Sequence, residues 1–98
     1  MPEYTLIRTD MSKHFSFGVK GIALKVSGEY YIALDQSLSG DQLDMVYKHE
    51  LSHILLGHLD RNIETAVKER EANEYAARMT EEEYCNARQA RKKECVLE

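Results

Sequence analysis

Tryptophan is absent, proline occurs once, and the 98 residues hold only five glycines and two cysteines. So little proline and glycine argues against a collagen-like or low-complexity chain. The balance of 43% hydrophobic and 31% charged residues is that of an ordinary globular protein. The two cysteines, Cys85 and Cys95, are ten positions apart. On one helix, at 1.5 Å rise per residue, they would lie about 15 Å apart, beyond the reach of a disulfide. Cys-x-x-Cys spacing is missing as well. Free thiols in a reducing compartment are therefore expected, rather than a crosslink or a cysteine zinc site.

A basic excess is also lacking, since the formal net charge is -4. Nucleic-acid binding draws on clustered cations that displace counterions from phosphates. The one dense basic stretch, Arg88, Arg91, Lys92 and Lys93, is interrupted by Glu94 and reads as a solvated helix face, so no direct nucleic-acid partner is expected. No apolar run approaches the ~20 residues of a membrane span, and the first ten residues lack the apolar core of a signal peptide. The expectation is a cytoplasmic protein with no membrane partner. A chain of this size forms one domain, residues 1–98, with a thin core, so a metal tying its helices together would matter to stability.

What is present divides into a β region, residues 1–36, and a helical region, residues 37–98. Together they predict an α+β fold: a small N-terminal antiparallel sheet followed by three helices. Gly21–Val26 and Glu29–Leu34 alternate as strands around Ser27-Gly28, a link suited to a tight hairpin, and Tyr4–Arg8 is a candidate third strand. Ser39 with Gln42 fits a capping box, and Leu43, Val46, Tyr47, Leu51, Ile54 and Leu55 then recur at helical spacing up to a stop at Gly57. A second helix is predicted over about 62–78, with Ile63, Val67, Ala72, Tyr75, Ala76 and Met79 as contact positions. Thr80 with Glu83 repeats the capping box and opens a third helix running to about Lys93. That last helix has a weak apolar face, suited to loose packing or to a partner.

The chemistry lies in His49-Glu50-Leu51-Ser52-His53. Histidines four apart on a helix project from one face and can share a metal ion. Glu50 can reach a water in an open position of that metal. Zinc lowers the pKa of such a water to about 7, and a carboxylate can take its proton and later pass it to a leaving amine. The pattern arises in roughly one or two of every hundred shuffled chains of this composition, so its setting in an amphipathic helix matters. A catalytic zinc takes three protein ligands. The metzincin pattern needs glycine at position 56 and histidine at 59, and Leu56 and Leu59 stand there. His58 is off the spacing of the pair, which favours a helix-end or supporting role.

A carboxylate from the second helix then completes a gluzincin-type site, with Glu69, Glu71 and Glu74 as candidates. Glu69 is favoured because it shares a face with Asn73 and Ala76, which would place Asn73 to accept a hydrogen bond from a ligating imidazole. Glu71 and Glu74 read as charges on a solvated face. Tyr30, Tyr31, His58 and Tyr75 are conceivable donors to a transition state, and nothing in the sequence selects among them.

Two blocks now resemble the ImmA/IrrE family of zinc metallo-endopeptidases. His49-Glu50-Leu51-Ser52-His53-Ile54-Leu55-Leu56-Gly57-His58 is similar to the family's H-E-L-G-H-L-L-L-G-H, and Glu69-Arg70-Glu71-Ala72-Asn73-Glu74-Tyr75-Ala76-Ala77 to its E-x-x-A-N-x-F-A-A. The resemblance spans about residues 18–79. It implies His49, His53 and Glu69 as zinc ligands and Glu50 as general base. It also implies an activity, since characterised members, from bacteria, phages and mobile elements, cleave helix-turn-helix repressors. Ser52 replaces the usual Gly, Tyr75 replaces Phe, and Arg78-Met79-Thr80-Glu81 stands where Leu-Leu-Met-Pro is common. The alternative expectation is a non-catalytic zinc-binding interaction module, of antirepressor or antitoxin-like type. The intact Glu50 counts against it.

Overall fold

A computed structural model describes residues 1–15 and 18–97. The chain runs β1 (Tyr4–Thr9), α1 (Met11–His14), β2 (Gly21–Val26), β3 (Glu29–Asp35), α2 (Gly40–Leu55), a 3-10 turn (His58–Asp60), α3 (Thr65–Arg78), α4 (Glu81–Gln89) and β4 (Arg91–Val96). The fold is α+β, with a four-stranded sheet in the order β2-β3-β1-β4. The hairpin forms as expected: β2 and β3 are antiparallel across Ser27-Gly28, both with positive φ (51° and 81°).

Two features of the sheet differ from the expectation. β1 pairs parallel with β3, so the sheet is mixed rather than antiparallel. A fourth strand, β4, lies parallel to β1 on its other side, where the sequence predicted a helix running to Lys93. Arg, Lys and Glu are good helix formers, but β1 carries buried Tyr4 and Leu6 and would otherwise leave its edge unpaired. Pairing satisfies that edge and is continued by Tyr4 N–H to the Ala90 carbonyl (3.3 Å) and Leu97 N–H to the Arg8 carbonyl (2.9 Å). The basic run thus lies partly on a strand, with Arg91 paired to Glu94 and Lys92 to Glu29. Cys85 and Cys95 are both free, on α4 and β4 rather than on one helix.

The sheet register sets the layers. Tyr4, Leu6, Ile32 and Leu34 lie on the face that packs under α2, where they meet Tyr47, Leu51 and Ile54. β2 presents its small residues, Gly21 and Ala23, on that same face, because they pair with Leu34 and Ile32. The helix can therefore come close: a Cβ at Gly21 would lie 2.7 Å from Val46 Cγ1 and 3.2 Å from Glu50 Oε2. α4 packs more firmly than its weak apolar face suggested, burying Tyr84 and Ala87. The Tyr47 hydroxyl meets that of Tyr4 at 2.7 Å, and Tyr84 donates to Asp44 at 2.8 Å, so these buried phenols keep their polar ends satisfied.

Helix ends follow the sequence unevenly. The Thr80–Glu83 capping box forms on both arms. Ser39 is the residue before α2, but its hydroxyl makes no cap bond, because Gly40 enters the helix at φ 55°, outside the geometry a side-chain cap requires. Gly57, left-handed at φ 70°, ends α2 as predicted and turns the chain back beneath it.

Asp35 fixes the junction after β3. Its carboxylate accepts from the Met11 and Ser37 backbone N–H groups (2.9 and 3.1 Å) and from the Ser37 hydroxyl. The Ser37 hydroxyl first, and the Met11 N–H after it, hold its pKa down at about 2, against 3.8 for a free Asp. A depressed carboxylate pKa gives stability that is present above the unfolded value and lost as pH falls through the folded one. Asp35→Asn is therefore expected to cost on the order of 2 kcal/mol near pH 6, with the gap to wild type closing as the pH falls from about 4 to 2. Denaturant melts of both proteins across that window check it; a gap that stays constant counts against it.

Candidate metal centre

α2 carries two faces at once. Tyr47, Leu51 and Ile54 enter the core, while His49, Glu50 and His53 turn toward α3 and the start of β2. Ala72, fully buried, brings α3 close to α2. Glu69 of α3 then reaches both histidines: its Oε2 is 2.8 Å from His49 Nε2, and its Oε1 is 3.3 Å from His53 Nε2. The two Nε2 atoms are 3.2 Å apart. Of the sequence candidates, the structure brings these three together, while Glu74 lies exposed on α3.

These distances fit zinc. Tetrahedral ligands on bonds of 2.0–2.1 Å stand about 3.3 Å from one another. The observed 3.2, 2.8 and 3.3 Å already match that spacing to within about half an ångström. Two imidazoles and one carboxylate also form a donor set that suits zinc. Burial, more than the neighbouring charges, holds His53 below the ordinary histidine pKa, so its ring stays neutral with a lone pair to give.

Glu50 sits beside this cluster at 6% exposure, with no hydrogen-bond donor to its carboxylate among the described residues. Desolvation raises its pKa to about 7; the His49 charge opposes the rise and Glu69 adds to it. The cluster lines a cavity of about 300 Å³ that Gly21, Ile22 and Ala23 of β2 line as well. β2 is an edge strand, so the sheet leaves its outer backbone groups unpaired. A larger groove of about 830 Å³ leads away from His49 and Glu50 over Val46, Ala76 and Ala77.

Several expectations about supporting residues are corrected. Asn73 does not meet an imidazole; it is exposed and lines the large groove. The partner of His53 is His58, through Nδ1 to Nδ1 at 2.9 Å. Glu71, read as a surface charge, turns inward and bonds His58 Nε2 at 2.9 Å. The three tyrosines weighed as donors are engaged elsewhere: Tyr30 with Asp60, Tyr31 with Glu29 and Tyr75 with Glu83. Thr65 and Lys68, which the sequence reading passed over, line the cavity beside Glu69. Thr65 precedes Glu69 by four on the same helix, a spacing that could have pointed to it. Ser52, where glycine is usual in the resembling block, is buried and returns its hydroxyl to the Lys48 carbonyl at 2.7 Å. Among the described residues no helix is long and apolar enough to cross a membrane. Compared with protein-family models, curated protein sequences and solved structures, the chain matches none.

Proposed function

We propose that this protein is a zinc-dependent endopeptidase that cleaves a regulatory partner protein, such as a helix-turn-helix repressor. The observation that carries the reading is the joint placement of three donors at zinc-ligand spacing with a buried, unpartnered carboxylate at the same cavity. A purely structural zinc site has no use for that carboxylate.

Zinc held by His49, His53 and Glu69 supplies a Lewis acid that acidifies water and polarises the scissile carbonyl. The residues of the chain do the rest. Glu50 takes a proton from the attacking water as its oxygen bonds to the carbonyl carbon. It then delivers that proton to the amide nitrogen as the C–N bond breaks, releasing a carboxylic acid and an amine. Burial raises the Glu50 carboxyl, and a zinc ion beside it would draw it back toward the ionised form that a general base needs. The free edge of β2 suits an extended substrate, whose backbone can pair with it and so lie across the cavity. The groove over Val46, Ala76 and Ala77 takes a side chain of that substrate. Cleavage of a repressor, the activity the two sequence blocks imply, needs only such an extended segment.

The test is turnover with Glu50 intact and with Glu50→Gln, on candidate partner proteins, followed by mass spectrometry of the fragments. Cleavage by the first and not the second supports the peptidase. An undiminished biological effect with Glu50→Gln overturns it in favour of a zinc-binding interaction module.

A further inference from the structure

The cluster does not end at the three ligands. Behind His53 a line of polar atoms runs to the surface of α3: His53 Nδ1 to His58 Nδ1 at 2.9 Å, then His58 Nε2 to Glu71 Oε1 at 2.9 Å. His58 is 1% exposed and both its nitrogens are engaged. It is brought there by Gly57, whose left-handed turn folds the 3-10 segment under α2. Glu71 is held from its other side by Arg61, whose Nη1 is 3.9 Å from the same oxygen. Glu69 and Glu71, two apart on α3, thus grip the site at two separate points.

We infer that His58 and Glu71 are positioning residues that fix the tautomer of His53 and hold its Nε2 lone pair toward the metal position. The inference rests on the zinc reading of His49, His53 and Glu69. It follows from the donor and acceptor capacities of the groups. An ionised carboxylate only accepts, so the proton on His58 sits on Nε2 and is donated to Glu71. A neutral imidazole carries one N–H, so His58 Nδ1 is an acceptor. The His53 nitrogen facing it is therefore the donor, Nδ1–H, which leaves His53 Nε2 bare. That bare nitrogen is the one 3.2 Å from His49 Nε2 and 3.3 Å from Glu69 Oε1. Reversing the line puts a proton on His53 Nε2 and blocks ligation. Glu69 is also an acceptor, 3.3 Å from His53 Nε2, but its shorter contact, 2.8 Å, is to His49 Nε2. Glu71, at 2.9 Å from His58 Nε2, is therefore the acceptor that sets the direction of the line compatible with metal.

Outer partners of this kind change metal affinity about 10–100-fold when removed. The experiment is two-bond ¹H–¹⁵N spectroscopy of the imidazoles in the metal-free protein, with zinc affinity measured by chelator competition. The expected spectra show Nδ1–H on His53 and Nε2–H on His58. Glu71→Met, at a half-exposed position that leaves the core intact, is expected to weaken zinc binding at least about tenfold. His58→Phe weakens it more, and His58→Gln, whose amide oxygen can still accept from His53, recovers most of the loss. If His58→Phe fails to fold, Glu71→Met and the tautomers still decide. Either ring in the opposite tautomer, or zinc affinity within twofold of wild type for Glu71→Met, overturns the inference. Wild-type protein that takes up no zinc would instead remove the zinc reading, and the metal-free tautomers would still report on the chain of bonds.

Discussion

Glu50→Gln is expected to lower kcat/KM for peptide cleavage by about 10²–10⁴-fold, the range a positioned general acid–base supplies. Gln matches Glu in shape and leaves His49, His53 and Glu69 in place, so zinc content stays at the wild-type level. It cannot accept the proton of water at neutral pH. The loss falls on kcat, with KM little changed, because Glu50 is the single lining residue altered and Gln keeps its shape, leaving the β2 edge and the rest of the large groove as they are. Stability is expected to hold or rise. Glu50 is buried without a hydrogen-bond partner among the described residues, and a neutral amide is cheaper to bury than a charge. Steady-state kinetics beside a thermal melt check both halves. A variant that keeps full turnover removes Glu50 from the mechanism.

Leu51→Ala is expected to destabilise the fold by about 2–5 kcal/mol, the range for emptying a fully buried leucine site. Leu51 is 0% exposed and sits on α2 between His49 and His53, facing the sheet. A small domain holds about 5–15 kcal/mol in total, so this loss is a large share. At roughly 4–8 °C per kcal/mol for a domain of this size, the melting temperature should fall by about 10 °C or more. The effect reaches function, because α2 sets the spacing of His49 and His53 against Glu69. Met45→Ala, one turn and a half away on the same helix but 66% exposed, should move stability by only about 0.5 kcal/mol. Zinc should return part of the Leu51→Ala loss, since a ligand that binds only the folded state stabilises it. A Leu51→Ala melt within a degree or two of wild type would contradict this packing.

What the sequence made legible was local. Gly21–Val26 and Glu29–Leu34 carry strand alternation with a turn between them, and α2 carries an apolar stripe that ends at Gly57. Each of these signals depends on residues a few positions apart, and each is found where expected. β4 was hidden because Arg91-Lys92-Lys93-Glu94 favours a helix by propensity, while its strand state depends on β1, more than eighty residues earlier in the chain. The Ser39 cap failed for a backbone reason, the φ of 55° at Gly40, that the residue pattern does not display. At the site, the pairing of His49 with His53 was readable from spacing alone, while Glu69 was favoured over Glu71 and Glu74 through an expected Asn73 role. That role was not readable, because helical phase places a residue on a face without saying what that face meets. His58 and Glu71 are thirteen residues apart, on the 3-10 turn and on α3, and only the folded chain makes them neighbours.

The central claim is that His49, His53 and Glu69 form a zinc site. Elemental analysis of protein purified without chelators tests it most directly. The result expected is close to one zinc per chain, retained in Glu50→Gln and lost in His53→Ala. Little zinc in the wild type, with none taken up on addition, would contradict the account and leave a helical interaction domain without metal chemistry.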